Sequence, residues 1–188
     1  MKSNVGLVSS RMGSPHKRKE GLKLEFKSEF KLVPPIDKQT RGYQQWKQFV
    51  EGQWHEFIKD ILALTNGNST AAEETGILVI GAGDKQREDG TRELFDVGLL
   101  RTLGEAQIRD KVNEFTHPPI PDIQQEFIEL DGRTLMVLRI PPTKHLHETT
   151  KALCTTEFES IDPADQSVRF AKGTVYAKGT VFVRRGDQ

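Results

Sequence analysis

Three carboxylates and a lysine define the chemistry this chain could carry. Glu20, Glu25 and Lys27 fall on one short segment, and Asp84 follows a much later apolar run. Carboxylates gathered at one end of a sheet cannot all stay ionised cheaply. A divalent cation relieves that repulsion, and Mg²⁺ or Mn²⁺ prefers such oxygen ligands. Glu20, Glu25 and Asp84 would then be metal ligands at a catalytic centre. The metal would polarise a phosphate and activate water, while Lys27 would stabilise developing negative charge. The plainer alternative, favoured on spacing alone, is three solvent-exposed acids at strand ends.

Positive charge stands directly before this set. His16-Lys17-Arg18-Lys19 forms a basic arm, and residues 1–31 carry eight Lys and Arg against three Glu, a net of +5. The whole chain is neutral, so the remainder carries −5. A basic amino end on an otherwise acidic chain suits an anionic partner. The competing explanation is a solvated tail, which is common at chain ends.

The elements that must position these groups are legible in outline. Residues 1–19 are rich in Ser, Gly, Lys and Arg without apolar periodicity, and read as a flexible arm; residues 20–188 read as a single domain. Leu22 to Lys27 reads as the first strand, with Leu24 and Phe26 anchoring one face and Glu25 and Lys27 presented on the other. Trp46, Phe49, Val50, Trp54, Phe57, Ile58, Ile61 and Leu62 recur at helical steps, with Gly52 as a candidate break. At that spacing the tryptophans are expected in the core rather than as platforms for bases. Thr65-Asn66-Gly67 stops the helix.

Gly76-Ile77-Leu78-Val79-Ile80-Gly81 reads as a strand buried on both faces, and residues 84–93 as polar turn material. A second helix is expected over Leu103–Phe115. Asp131-Gly132 between two apolar runs is a strong hairpin signal. Residues 143–167 read as irregular. Val175-Tyr176 and Thr180–Arg184 read as closing strands, with Val181 and Val183 inward. Helices between strands, followed by a hairpin, predict an α/β (α+β) fold with a mixed β-sheet and two main helices.

Composition excludes several classes. Charged residues make up 29% and hydrophobic ones 35%, as in a globular domain on the polar side. No run approaches the roughly 18 apolar residues of a membrane span, and the amino end lacks the apolar core of a signal peptide. Cys154 is the single cysteine, so no intrachain disulfide forms and a reducing cytoplasm is expected. Val79-Ile80-Gly81-Ala82-Gly83 resembles the start of a dinucleotide fingerprint, but Gln86 stands where a small residue is needed. No nucleotide or flavin cofactor is therefore expected. His145-Leu146-His147 lacks further ligands at zinc spacing and reads as a surface loop.

Taken together, these pieces resemble the AlbA_2-type domain of Schlafen proteins and of many bacterial regulators. Glu20 with Leu24-Glu25-Phe26-Lys27 is similar to that family's E-x-x-x-x-E-F-K, and Ala63-Leu64-Thr65-Asn66 to the A-F-A-N that ends its first helix. Gly76–Gly81 with Asp84-Lys85 resembles G-G-x-L-x-I-G-V-x-D. Pro118 and Pro119 fall where the family has a proline after its second helix. Arg139-Ile140-Pro141-Pro142 is similar to the end of its hairpin, and Val181 to Gly186 resembles its closing Y-x-R-x-G strand. The turn before Gly76 is longer than the family's N-T-x-G-G.

The resemblance implies a nucleic-acid-binding α/β domain, DNA or RNA, and places the acidic set of its ribonuclease members on Glu20, Glu25 and Asp84. Lys17, Arg18, Lys19, Lys27, Arg184 and Arg185 are then the expected backbone contacts. The alternatives are a Mg- or Mn-dependent endonuclease and a regulatory protein-interaction domain. Active Schlafen nucleases clamp with two such lobes, so the resemblance implies a homodimer or a borrowed partner lobe, and the chain's end just past the closing strand suits a domain of a longer protein.

Overall fold

The computed structural model describes residues 23–66 and 73–184 of the chain. Strand β1 (Leu24–Lys27) runs parallel to β2 (Gly76–Ile80), and β2 runs antiparallel to β7 (Arg133–Ile140), which pairs with β6 (Gln124–Leu130). The order β1-β2-β7-β6 is the expected mixed sheet. The β6–β7 turn is Asp131-Gly132, both at positive φ, the conformation Gly adopts without steric cost. Helix α1 (Tyr43–Asn66) and helix α2 (Glu105–Asn113) complete the α/β (α+β) architecture.

Partners in register share a face of a sheet. Leu78 and Ile80 of β2 are fully buried with Met136 and Leu138 of β7 against the apolar stripe of α1. Their β1 partners on that face are Glu25 and Lys27, so Leu24 and Phe26 point the other way. This reverses the expected arrangement. Phe30 and Leu32, just beyond the strand, supply the apolar contacts that Leu24 and Phe26 were expected to make. Ile77 and Val79 are half-buried, so β2 is deeply buried on one face rather than both.

Helix α1 is one helix of 24 residues, about 36 Å long. Gly52 does not break it. A Cβ there would lie 2.3 Å from the Thr156 side chain, so the absent side chain lets a second sheet pack close. That sheet is the ribbon of β9 (Leu153–Ile161) and β10 (Val168–Tyr176), which replaces much of the irregular stretch expected over 143–167. Trp46 and Phe49 pack with Val168 of the ribbon, and Trp54 joins the main core. Their indole N–H groups donate to Gln166 O (2.8 Å) and Leu32 O (3.1 Å), so both tryptophans are core residues as expected.

The polar stretch after β2 forms a hairpin of β3 (Ala82–Gln86) and β4 (Arg92–Leu94), with Arg87–Gly90 as its turn. A short pair, β5 (Thr116–His117) with β8 (Glu148–Thr149), closes the far side. Among the described residues, 180–184 joins no sheet ladder, and Val181 and Val183 are exposed rather than inward. No described helix is long and apolar enough to cross a membrane.

Candidate functional site

Strand β1 is the edge of the main sheet, and its inward charges meet α1 there. Lys27 Nζ lies 3.1 Å from Asp60 Oδ2 and 3.4 Å from Glu25 Oε1. Asp60 shares a buried turn of α1 with Phe57 and Ile61 and is only 8% exposed. Its Oδ2 accepts no hydrogen bond among the described residues, so Lys27 pairs with it by charge without hydrogen-bond alignment. Lys59 Nζ stands 3.6 Å from Asp60 Oδ1 and also pairs with Glu56. From the other side, Arg184 donates to Leu24 O (2.6 Å) and to Glu25 Oε2. Glu25 thus faces Lys27 with one oxygen and Arg184 with the other.

The charges respond unequally. Burial lowers the Lys27 ammonium pKa, but the carboxylates of Asp60 and Glu25 outweigh it, and the net shift is upward. Burial pushes the Asp60 carboxyl upward, and Lys27 and Lys59 only partly offset it. The pair therefore favours charge on Lys27 while Asp60 carries most of the desolvation cost, because Asp60 is the deeper partner.

A second polar junction lies at the carboxyl end of α1. Lys23, 6% exposed, donates to Leu64 O (2.6 Å) and Thr65 O (3.1 Å), carbonyls with no partner inside the helix. Burial lowers its pKa, and Glu74 raises it in part. Asn66 donates to His147 O (2.9 Å) and Phe182 O (2.8 Å) and accepts from His147 N–H (2.7 Å). This ties down the segment that carries Arg184 to Glu25. His147 is buried rather than on a surface loop, with Nδ1 2.6 Å from Pro118 O and Nε2 2.7 Å from Thr143 Oγ1, while His145 is exposed.

Asp84 is exposed on β3. The β3–β4 hairpin folds beside β1, where the Arg92 guanidinium sits 3.9 Å from the centre of the Phe26 ring and donates to Gly83 O (2.8 Å) and Asp84 O. Phe26 is on the face opposite Glu25, so the strand edge stands between the Glu25 carboxylate and the Asp84 backbone. Among the described residues, no group of three or more His, Cys, Asp or Glu could hold a metal ion. With both Glu25 oxygens facing cations, the described residues do not fit a metal centre by themselves. Glu20 lies outside the described residues, as do Lys17, Arg18, Lys19 and Arg185. Of the expected set, the structure brings together Glu25, Lys27 and Arg184, and places Asp84 on the neighbouring hairpin.

The sequence reading missed Asp60, Lys59 and Lys23. Asp60 carried a signal. It falls at the i+3 position from Phe57 in a stripe that continues to Ile61 and Leu64, where an apolar residue is the rule.

No curated protein matches the chain significantly. The N-terminal domain of a RecG-related protein from Nitrosomonas europaea is similar at a TM-score of 0.39 and 12% identity, over 91% of this chain and 83% of that one. The DIP2311 protein from Corynebacterium diphtheriae is similar at a TM-score of 0.38 and 11% identity, over 71% of this chain and 20% of that one. The family model described as "Schlafen, AlbA_2" matches residues 20–188. With Glu25-Phe26-Lys27 on the edge strand and Asn66 closing the first helix, the chain belongs to the Schlafen AlbA_2 family.

Proposed function

We propose that this domain binds nucleic acid, RNA or DNA, through the phosphate backbone, with the β1 edge as part of the contact face. The observation that carries this reading is the family match across residues 20–188. The charges at the edge support it in a specific way. The Lys27 side chain is 29% exposed and held between two carboxylates, so it offers a localised donor rather than a strong field. Long-range attraction would come from Lys17, Arg18, Lys19 and Arg185, with Arg184 beside Lys27. Binding of this kind weakens linearly in log K against log salt, because each neutralised phosphate releases counterions. Fluorescence anisotropy with labelled single- and double-stranded RNA and DNA across a salt series tests it. Affinity at low salt that falls steeply with salt is expected, and no salt-sensitive binding to any of them would overturn the reading.

A second reading rests on the family match, whose acidic motif positions fall on Glu25 and Asp84. Glu25 is the second residue of β1, and Asp84 lies on β3, just past the carboxyl end of the parallel β2. Nuclease activity with Mg²⁺ or Mn²⁺ depends on Glu20 joining them. Incubating the same nucleic acids with either metal tests it. Cleavage by wild type no faster than by Glu25→Ala would sink it. A domain that binds no nucleic acid, yet retains a protein partner after nuclease digestion, would instead be a regulatory interaction module. We carry forward a homodimer and a cytoplasmic location as parts of the first reading, to be checked by sedimentation and by fractionation.

A further inference from the structure

We infer that Asp60 is a positioning residue for Lys27, holding its ammonium at the β1 edge so that one donor stays directed at a nucleic-acid phosphate. This rests on the phosphate-binding reading above. Asp60 is a carboxylate within the apolar stripe of α1, 8% exposed, with one oxygen that accepts no hydrogen bond among the described residues. Burying such a group is costly, and an apolar residue would fill the site without that cost. What the carboxylate does there is meet Lys27 at 3.1 Å, with Lys59 at 3.6 Å on its other oxygen.

The consequence for Lys27 follows from its two charge partners. An ammonium carries three N–H groups on a flexible stem. Asp60 and Glu25 flank Nζ at 3.1 and 3.4 Å as charge partners, and the side chain keeps 29% exposure, so the restrained ammonium stays within reach of a phosphate. A free lysine loses substantial rotamer entropy when it settles on a phosphate; Lys27 has lost it already. Glu25 offers Lys27 one oxygen at the longer distance of 3.4 Å, while its other oxygen accepts from Arg184.

The alternative role, a purely electrostatic one, predicts the opposite sign. Asp60→Asn removes a negative charge beside the contact face, and by charge alone it should tighten binding to a polyanion. If Asp60 positions Lys27, the same substitution should weaken it.

The test is salt-dependent binding of a fluorescein-labelled single-stranded RNA and its DNA counterpart by wild type, Asp60→Asn, Lys27→Gln and the double variant. The expected result is a several-fold loss for Asp60→Asn, a salt slope reduced by about one as in Lys27→Gln, and a double variant no weaker than Lys27→Gln. Binding by folded Asp60→Asn as tight as wild type or tighter, with Lys27→Gln weakened, overturns the inference and leaves the phosphate-binding reading standing. Unchanged binding by Lys27→Gln overturns the Lys27 contact itself, and the inference with it. Should Asp60→Asn fail to fold, NMR relaxation of lysine side chains in the wild type decides. Lys27 is expected to be restricted relative to exposed Lys47, and equal mobility of the two overturns the inference.

Discussion

Lys23 and Lys27 point to the same side of one segment, and α1 meets them in opposite ways. Lys23 donates to Leu64 O and Thr65 O near the end of the helix and lies buried, with Glu74 only partly offsetting the effect of burial on its charge. Lys27 reaches the helix further up, at Asp60, with Glu25 beside it and part of its side chain in solvent. Burial shifts the pKa of the first down, whereas the carboxylates shift that of the second up. A lysine committed to backbone carbonyls is part of the fold, whereas Lys27 is held by carboxylates with 29% of its side chain exposed. Lys31, paired with Glu29 at 2.8 Å and with no other acid among the described residues, belongs to neither kind.

Substitution should separate the three. Lys23→Met leaves Leu64 O and Thr65 O without their partner and is expected to cost about 2–3 kcal/mol in urea denaturation. Nucleic-acid affinity per folded molecule should be unchanged, and a matching loss of affinity would break the comparison. Lys27→Gln should cost about 1 kcal/mol or less, because its ion pairs are partly exposed, while lowering the salt slope of binding. Smaller again is the pH signature. The lowered folded pKa of Lys23 means the unfolded chain binds the extra proton between that value and the usual 10.5 or so, and stability rises with pH across that window. The raised pKa of Lys27 gives stability present below about 10.5 and lost as pH rises through the folded value. The cost of Lys23→Met should therefore grow on the approach to 10.5, and the cost of Lys27→Gln should shrink above it. Denaturation midpoints across the alkaline range would show whether the two trends diverge. Lys31→Gln should change stability by no more than about 0.5 kcal/mol, as for other exposed pairs.

How much of this was legible in sequence varied with burial. The Asp131-Gly132 hairpin, the Gly76–Ile80 strand and the end of α1 at Asn66 announced themselves through turn chemistry and apolar runs. The facing of β1 did not. Its alternation is unambiguous, but which set faces the helix depends on tertiary partners, Arg92 over Phe26 on one side and Asp60 against Lys27 on the other. The β9–β10 ribbon was hidden for a different reason. Leu153 and Thr155 are buried at its base, while Glu157 through Ile161 are exposed, so β9 never shows a sustained two-residue period. Gly52 looked like a helix break because the close approach of Thr156 is a long-range fact. Of the charge cluster at β1, Glu25, Lys27 and Arg184 stand in motif segments, and the segment that brings Arg184 to Glu25 is tied down by Asn66 through Phe182.

The central claim is that the β1 edge, with Lys27 and Arg184 gathered on Glu25, is a nucleic-acid contact face. Backbone amide NMR shifts on titration with a short single-stranded RNA or DNA test it most directly. Shifts are expected to concentrate on residues 24–27, on the 181–184 segment and on the turn of α1 around Asp60. Shifts confined to the β9–β10 ribbon, or none with either nucleic acid at low salt, would contradict the account.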